Sequence, residues 1–171
     1  MTDTENQVLE VVVATFSDET GAYDSLDELK SMEKAGAIEL IDAAVVVRKA
    51  DGKVHYEETA DPSGKTWAKR GAVAGGLVGL IFPPSIVVGA AVGGATGGLW
   101  GKVRDKGFKD DELKEIGESL SPGSSAILAI AADKVVEQLI KGLEGYERLS
   151  RQVMSADASA IVLAEAAPAT A

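Results

Sequence analysis

The chain has 171 residues, a formal net charge of −10, 46% hydrophobic residues and 26% charged residues, the proportions of an ordinary folded domain. It contains no cysteine, which excludes disulfides, thiolate metal sites and cysteine nucleophiles, and fits a reducing compartment. The acidic balance argues against nucleic acid as a partner, because phosphate contacts need a basic surface. One stretch departs from that balance: between Lys65 and Lys109 seven bases stand against one acid, Asp105, so this segment carries +6 and the rest of the chain −16.

Met1 to Gln7 is polar and acidic, without the basic and apolar regions of a secretory or mitochondrial signal. Val8 to Phe16 is a β-branched run of strand length, dense enough for a buried strand. Ser17 and Asp18 supply capping chemistry for a helix in which Ala22, Leu26 and Leu29 recur at helical spacing, and Gly36 provides its stop. Ile38 to Lys49 reads as a second strand around the apolar run Ala43 to Val47. Asp51-Gly52 is a hairpin turn, and Lys53 to Thr59 is a returning strand polar enough for an exposed or edge position.

Further on, Lys109 to Leu120 predicts a short helix with Leu113, Ile116 and Leu120 on one face, stopped at Pro122-Gly123. Ser124-Ser125 reads as a loop and Ala126 to Ala132 as a continuous apolar strand. Asp133 then caps a helix carrying Val135, Val136, Leu139, Ile140 and Leu143, which Gly142 and Gly145 weaken at its far end. Tyr146 to Met154 suits either period. Ala156 to Ala166 leans towards helix, although Ile161 to Leu163 also fits a short strand. Strands alternating with amphipathic helices predict an α+β domain, most naturally a ferredoxin-like sandwich, with residues 8–64 and 108–166 as its halves and 65–107 inserted between them.

The inserted part carries the strongest pattern. Gly71 to Gly101 holds no charged residue over 31 positions and 10 of the chain's 19 glycines. Gly71, Gly75 and Gly79 form one GxxxGxxxG series, and Gly89, Gly93, Gly97 and Gly101 form a second. Residues four apart share a helix face, so each series makes a groove without side chains, of the kind that lets helices approach closely. A glycine inside a helix costs roughly 0.5–1 kcal/mol relative to alanine, so a helical segment of this composition requires close packing to offset the cost. A flexible linker would be rich in Ser and polar residues, whereas Val, Leu, Ile, Phe and Trp are interleaved here.

Pro83 and Pro84 divide the segment into Gly71–Phe82 and Ile86–Gly101, and the spacing predicts a helical hairpin turning at the two prolines. At about 1.5 Å per residue, halves of 12 and 16 residues are short for a hydrocarbon core of about 30 Å. Trp67 and Trp100, with Lys65, Lys69, Arg70, Lys102, Arg104 and Lys106, would serve as interfacial anchors at the hairpin's open end. For a membrane hairpin the positive-inside rule places that end in the cytoplasm, at the inner face of the cell membrane. The same pattern suits a soluble homo-oligomer whose hairpins fill an intersubunit core and take an apolar ligand or partner.

Enzyme signatures are weak. Ser63-Gly64-Lys65-Thr66 imitates the end of a P-loop, but Thr59 stands where its first glycine is required. The glycine series lacks the strand and ribose acid of a dinucleotide site. His55 is the single histidine, on a polar strand, and reads as a surface residue; Asp110-Asp111 and Asp27-Glu28 read as helix-start and helix-flank acids. No catalytic, metal or cofactor residues are expected.

Together VVVATFSDETGAYDSLDELKSMEKAGAIELIDAAVVVRKADGKV, GAVAGGLVGLIF, VVGAAVGGATGGLWGKVRDKGF and LSPGSSAILAI, spanning about residues 8–132, resemble the bacterial family catalogued as domain of unknown function 1269. The resemblance implies a ferredoxin-like fold with a glycine-rich inserted hairpin and a predicted membrane protein; it brings no activity, cofactor or catalytic residue. The expectation is a self-associating, membrane-associated structural or interaction protein, with the soluble homo-oligomer as its alternative.

Overall fold

The computed structural model describes residues 7–57, 73, 76–82, 85–88 and 97–166. Its strands are β1 (Leu9–Phe16), β2 (Leu40–Arg48), β3 (Val54–Glu57), β4 (Val87–Val88), β5 (Ser124–Ala132) and β6 (Arg148–Val153). The helices with defined ends are α1 (Gly21–Lys34), α2 (Gly97–Asp105), α3 (Asp111–Glu118), α4 (Asp133–Lys141) and α5 (Ala156–Ala166), and residues 76–81 are also helical. The chain is thus α+β. Its sheet runs β4-β3-β2-β5-β1-β6, antiparallel throughout except for the short β3–β4 pair.

The sheet grows from two interleaved units. β1, α1 and β2 form one, with β5 lying antiparallel between the two strands; β5, α4 and β6 form the other, with β1 between. Each helix carries the chain across so that its two strands run the same way. Side chains alternate across a strand, and over β1, β2 and β5 both faces are covered. Val12, Ala14, Phe16, Ala43, Val45, Val47, Ile127 and Ala129 pack under Ala22, Leu26 and Leu29 of α1 and Val136 and Leu139 of α4. Leu9, Val11, Val13, Ala44, Val46, Leu128 and Ile130 meet the 76–82 stretch, α2, α3 and α5. Continuous apolar runs such as Val11–Ala14 are what a strand with no wet face requires.

The loops around the sheet are held by backbone-seeking side chains. Asp18 Oδ1 accepts the N–H groups of Thr20 and Gly21 at 3.0 and 2.6 Å, starting α1. Ser125, fully buried, accepts the Ala22 N–H at 3.1 Å and donates to the Asp18 carbonyl at 2.8 Å. Arg48 donates to the carbonyls of Gly52 and Leu120 at 2.9 and 2.6 Å, bracing the hairpin against the end of α3. Gly52 has φ +84°, the left-handed conformation its turn demands.

Three expectations are corrected. Ser124-Ser125 opens β5 and is buried, not a loop, because Ser125 is needed under α1. β3 is not an edge: Val54 is fully buried and donates its N–H to the Ile86 carbonyl at 2.8 Å beside β4. The second half of the glycine-rich segment is not one helix from Ile86. Val87-Val88 is a strand, and helix begins at Gly97 and passes Gly101 to Asp105. β-Branched residues just after a double proline favour extended backbone, and β3 offers it a partner. The two ambiguous stretches resolve as β6 and α5.

Candidate functional site

The inserted segment is the only chemistry singled out by sequence, and its described part lies on the chain's own sheet. Leu77, Val78, Ile81 and Phe82 are buried against the face formed by Val11, Val13, Ala44 and Val46. On α2, Leu99, Trp100 and Val103 turn into the same core while Gly98, Gly101, Lys102, Arg104 and Asp105 stay exposed. The helix is therefore two-sided, with large apolar groups inward and small or charged ones outward.

Trp100, expected at a membrane interface, is instead 2% exposed; its Nε1–H donates to the Val73 carbonyl at 3.0 Å and its ring lies 5.6 Å from that of Phe108. That bond ties α2 to the start of the inserted segment and satisfies the indole inside the core. Gly79 is half-buried in the 76–81 helix and Gly97 opens α2. A Cβ at Gly98 or Gly101 would meet nothing within 4 Å among the described residues, so neither position packs closely against them. Gly71, Gly75, Gly89, Gly93, Pro83, Pro84, Lys65, Trp67, Lys69 and Arg70 lie outside the described residues.

Among the described residues, the backbone of α3 comes close to the inserted segment at Gly117. A Cβ there would collide with Ile81 Cγ2 and come within 3.2 Å of the Ile81 carbonyl, so α3 passes the inserted segment backbone against side chain. A lone glycine in an amphipathic helix gives no sequence signal for this.

The basic end of α2 is anchored too. The Asp110 carboxylate, 8% exposed, has Arg104 and Lys114 each 3.0 Å from Oδ2. Both cations sit off the hydrogen-bond direction, so the attraction is Coulombic. Ser155 donates to the Lys106 carbonyl at 3.0 Å and accepts the Ala158 N–H at 3.1 Å, fastening α2 to the start of α5. Lys102 and the Lys106 side chain remain exposed.

A second charged cluster went unread in the sequence. Arg151 of β6 grips Glu10 of β1 with Nε and Nη2 at 3.0 and 3.1 Å and reaches Glu137 of α4 at 2.6 Å. Hydrogen bonds to Glu10, then Glu137, push the guanidinium pKa further up from its already high value, so it stays charged at any pH the fold survives. Glu10 sits on β1 at only 4% exposure; nothing local in sequence announces a buried acid whose partner is 141 residues away.

Among the described residues no helix is long and apolar enough to cross a membrane, and no three His, Cys, Asp or Glu side chains gather to hold a metal ion. No curated protein and no solved structure matches the chain. A family model described as "Protein of unknown function (DUF1269)" matches residues 68–166. The match begins after the N-terminal strands quoted for the resemblance and extends it past residue 132 through α4, β6 and α5. With more than half its length covered, from the inserted segment to the end of α5, the chain belongs to the DUF1269 family of proteins of unknown function.

Proposed function

We propose that this chain is a structural or interaction protein, not an enzyme, that associates with copies of itself through the outward glycine side of its inserted segment. The observation that carries the reading is the two-sidedness of α2. Trp100 and Val103 are docked on the chain's own sheet, while Gly98 and Gly101 stand exposed with no neighbour among the described residues. Each solvated helical glycine costs roughly 0.5–1 kcal/mol, a cost that a second backbone packed in the groove would offset. Glycines at four-residue spacing continue through Gly93 and Gly89 in sequence, which suits a longer seam.

The same two-sidedness favours the lipid-free homo-oligomer over a hairpin embedded in membrane. To enter a bilayer, the segment would have to withdraw Leu77, Phe82, Trp100 and Val103 and expose the sheet face beneath them. Withdrawing a buried side chain of that size costs about 1.5–3 kcal/mol. Membrane association keeps one supporting feature, the exposed Lys102 and Lys106 at the end of α2. The interleaved βαβ units also support a ferredoxin-like sandwich, with residues 65–107 as an insertion whose described part packs on the second face of the sheet. Cell fractionation followed by detergent-free light scattering tests the proposal. It predicts a discrete multimer without detergent; a monomer at all concentrations counts against self-association, and solubility only with detergent favours the membrane reading.

A further inference from the structure

β6 ends the sheet on the side away from β4. Just past it, Met154 donates its N–H to the Leu9 carbonyl at 2.8 Å. The even-numbered residues of β6 therefore turn their backbone groups to β1, and Leu149, Arg151 and Val153 turn theirs outward, where no described strand meets them. Such an edge is ordinarily blunted by a proline, a bulge or a charge. Residues 146–154 contain no proline, and the register of β6 on β1 is unbroken from Val153 to Arg148. Arg148 is exposed at one end, but the central charge, Arg151, is drawn onto the face of the sheet by Glu10 and Glu137 and does not guard the edge. Tyr146 and Val153, the exposed large hydrophobic side chains among the described residues at 41% and 54%, stand at its two ends.

We propose that β6 pairs antiparallel with β6 of a second copy of this chain, about a two-fold axis at Ser150. The inference rests on the self-association proposed above and adds a second contact to it. A ladder this short is marginal alone, so it closes between copies that the α2 seam already brings together. Outward-turned residues must meet outward-turned residues, which allows two-fold registers centred on Leu149, Ser150 or Arg151. Centring on Arg151 sets its two copies against each other, and centring on Leu149 leaves Arg151 to Val153 opposite residues that precede β6. Centring on Ser150 uses residues 148–152 of both copies. It puts Arg148 opposite Gln152 and Arg151 opposite Leu149, with no like charges directly opposed, and sets Glu147 diagonally from Arg151. It also carries Tyr146 of each copy to the end where Val153 of the other stands.

The chain has no cysteine, so an introduced thiol is unique. In this register the two copies of Ser150 face each other with Cα atoms about 4.5 Å apart, within reach of a disulfide. The two copies of Gln152 lie about 13 Å apart, beyond it. The test is diamide oxidation of full-length Ser150→Cys and Gln152→Cys, with sedimentation velocity and amide hydrogen exchange on the unmodified protein. The expected result is a disulfide-linked dimer in Ser150→Cys, formed at least about tenfold faster than in Gln152→Cys, with the Leu149 and Arg151 amides protected in the multimer. Both substitutions are small and on an edge strand, and circular dichroism checks that each variant is folded. A multimer in which Ser150→Cys is not bridged, or is bridged no faster than Gln152→Cys, would overturn this inference and leave the α2 seam standing. Protected Leu149 and Arg151 amides without a bridge would give the edge to another segment of this chain or to another protein, which also overturns it. A monomer at all concentrations would overturn both contacts.

Discussion

At Gly117 the backbone of α3 lies against Ile81, whereas at Gly101 the backbone of α2 has no neighbour among the described residues, and the same residue type answers to opposite demands. Gly117→Ala forces Ile81 or the helix to shift and should cost about 1–3 kcal/mol in urea denaturation; an unchanged midpoint would show the two segments are not in contact. Gly101→Ala meets no obstacle among the described residues and should raise the stability of dilute protein by about 0.5–1 kcal/mol through helix propensity. Arg151 is a third such residue. Arg151→Met leaves Glu10 buried without its bidentate partner and should destabilise by about 1–3 kcal/mol, less than a fully buried pair because the guanidinium is partly solvated. Adding Glu10→Met should recover part of that loss, and a double-mutant cycle measures the coupling; strictly additive losses would mean the pair is uncoupled.

Among elements, those with a strong local period were legible and those defined by a distant partner were not. Leu26 and Leu29, or Val136 and Leu139, mark their helices because one face of each must be apolar, and Val11–Ala14 marks a strand covered on both sides. Tyr146–Met154 carries no decisive period; it becomes β6 because β1 offers an unpaired edge from Glu10 to Thr15. β4 was hidden by the glycine spacing around it and exists because β3 accepts it, an event 32 residues away in sequence from Val54 to Ile86. Hydrogen exchange checks this pairing directly. The Val54 amide should be protected well beyond an exposed edge amide, and exchange at the free rate would remove β4 from the sheet. The candidate site was half legible: glycine spacing marked the segment, but which of its sides meets the sheet depends on Trp100 and Val73 coming together across the insertion.

For the whole molecule, the centre of the sheet, β1, β2 and β5, has no wet face, since α1 and α4 close one side and the described part of the inserted segment with α3 and α5 closes the other. The described part of the apolar segment is thereby held by the chain itself, and α2 offers outward a strip of backbone at Gly98 and Gly101 beside exposed charge. Sedimentation velocity on the wild type and on Gly98→Leu/Gly101→Leu, in detergent-free buffer with circular dichroism recorded on both, bears on this most directly. The account predicts a multimer for the wild type and a folded monomer for the double variant, because two leucines fill the groove without touching the core. A variant that stays folded and sediments as the same multimer would contradict it.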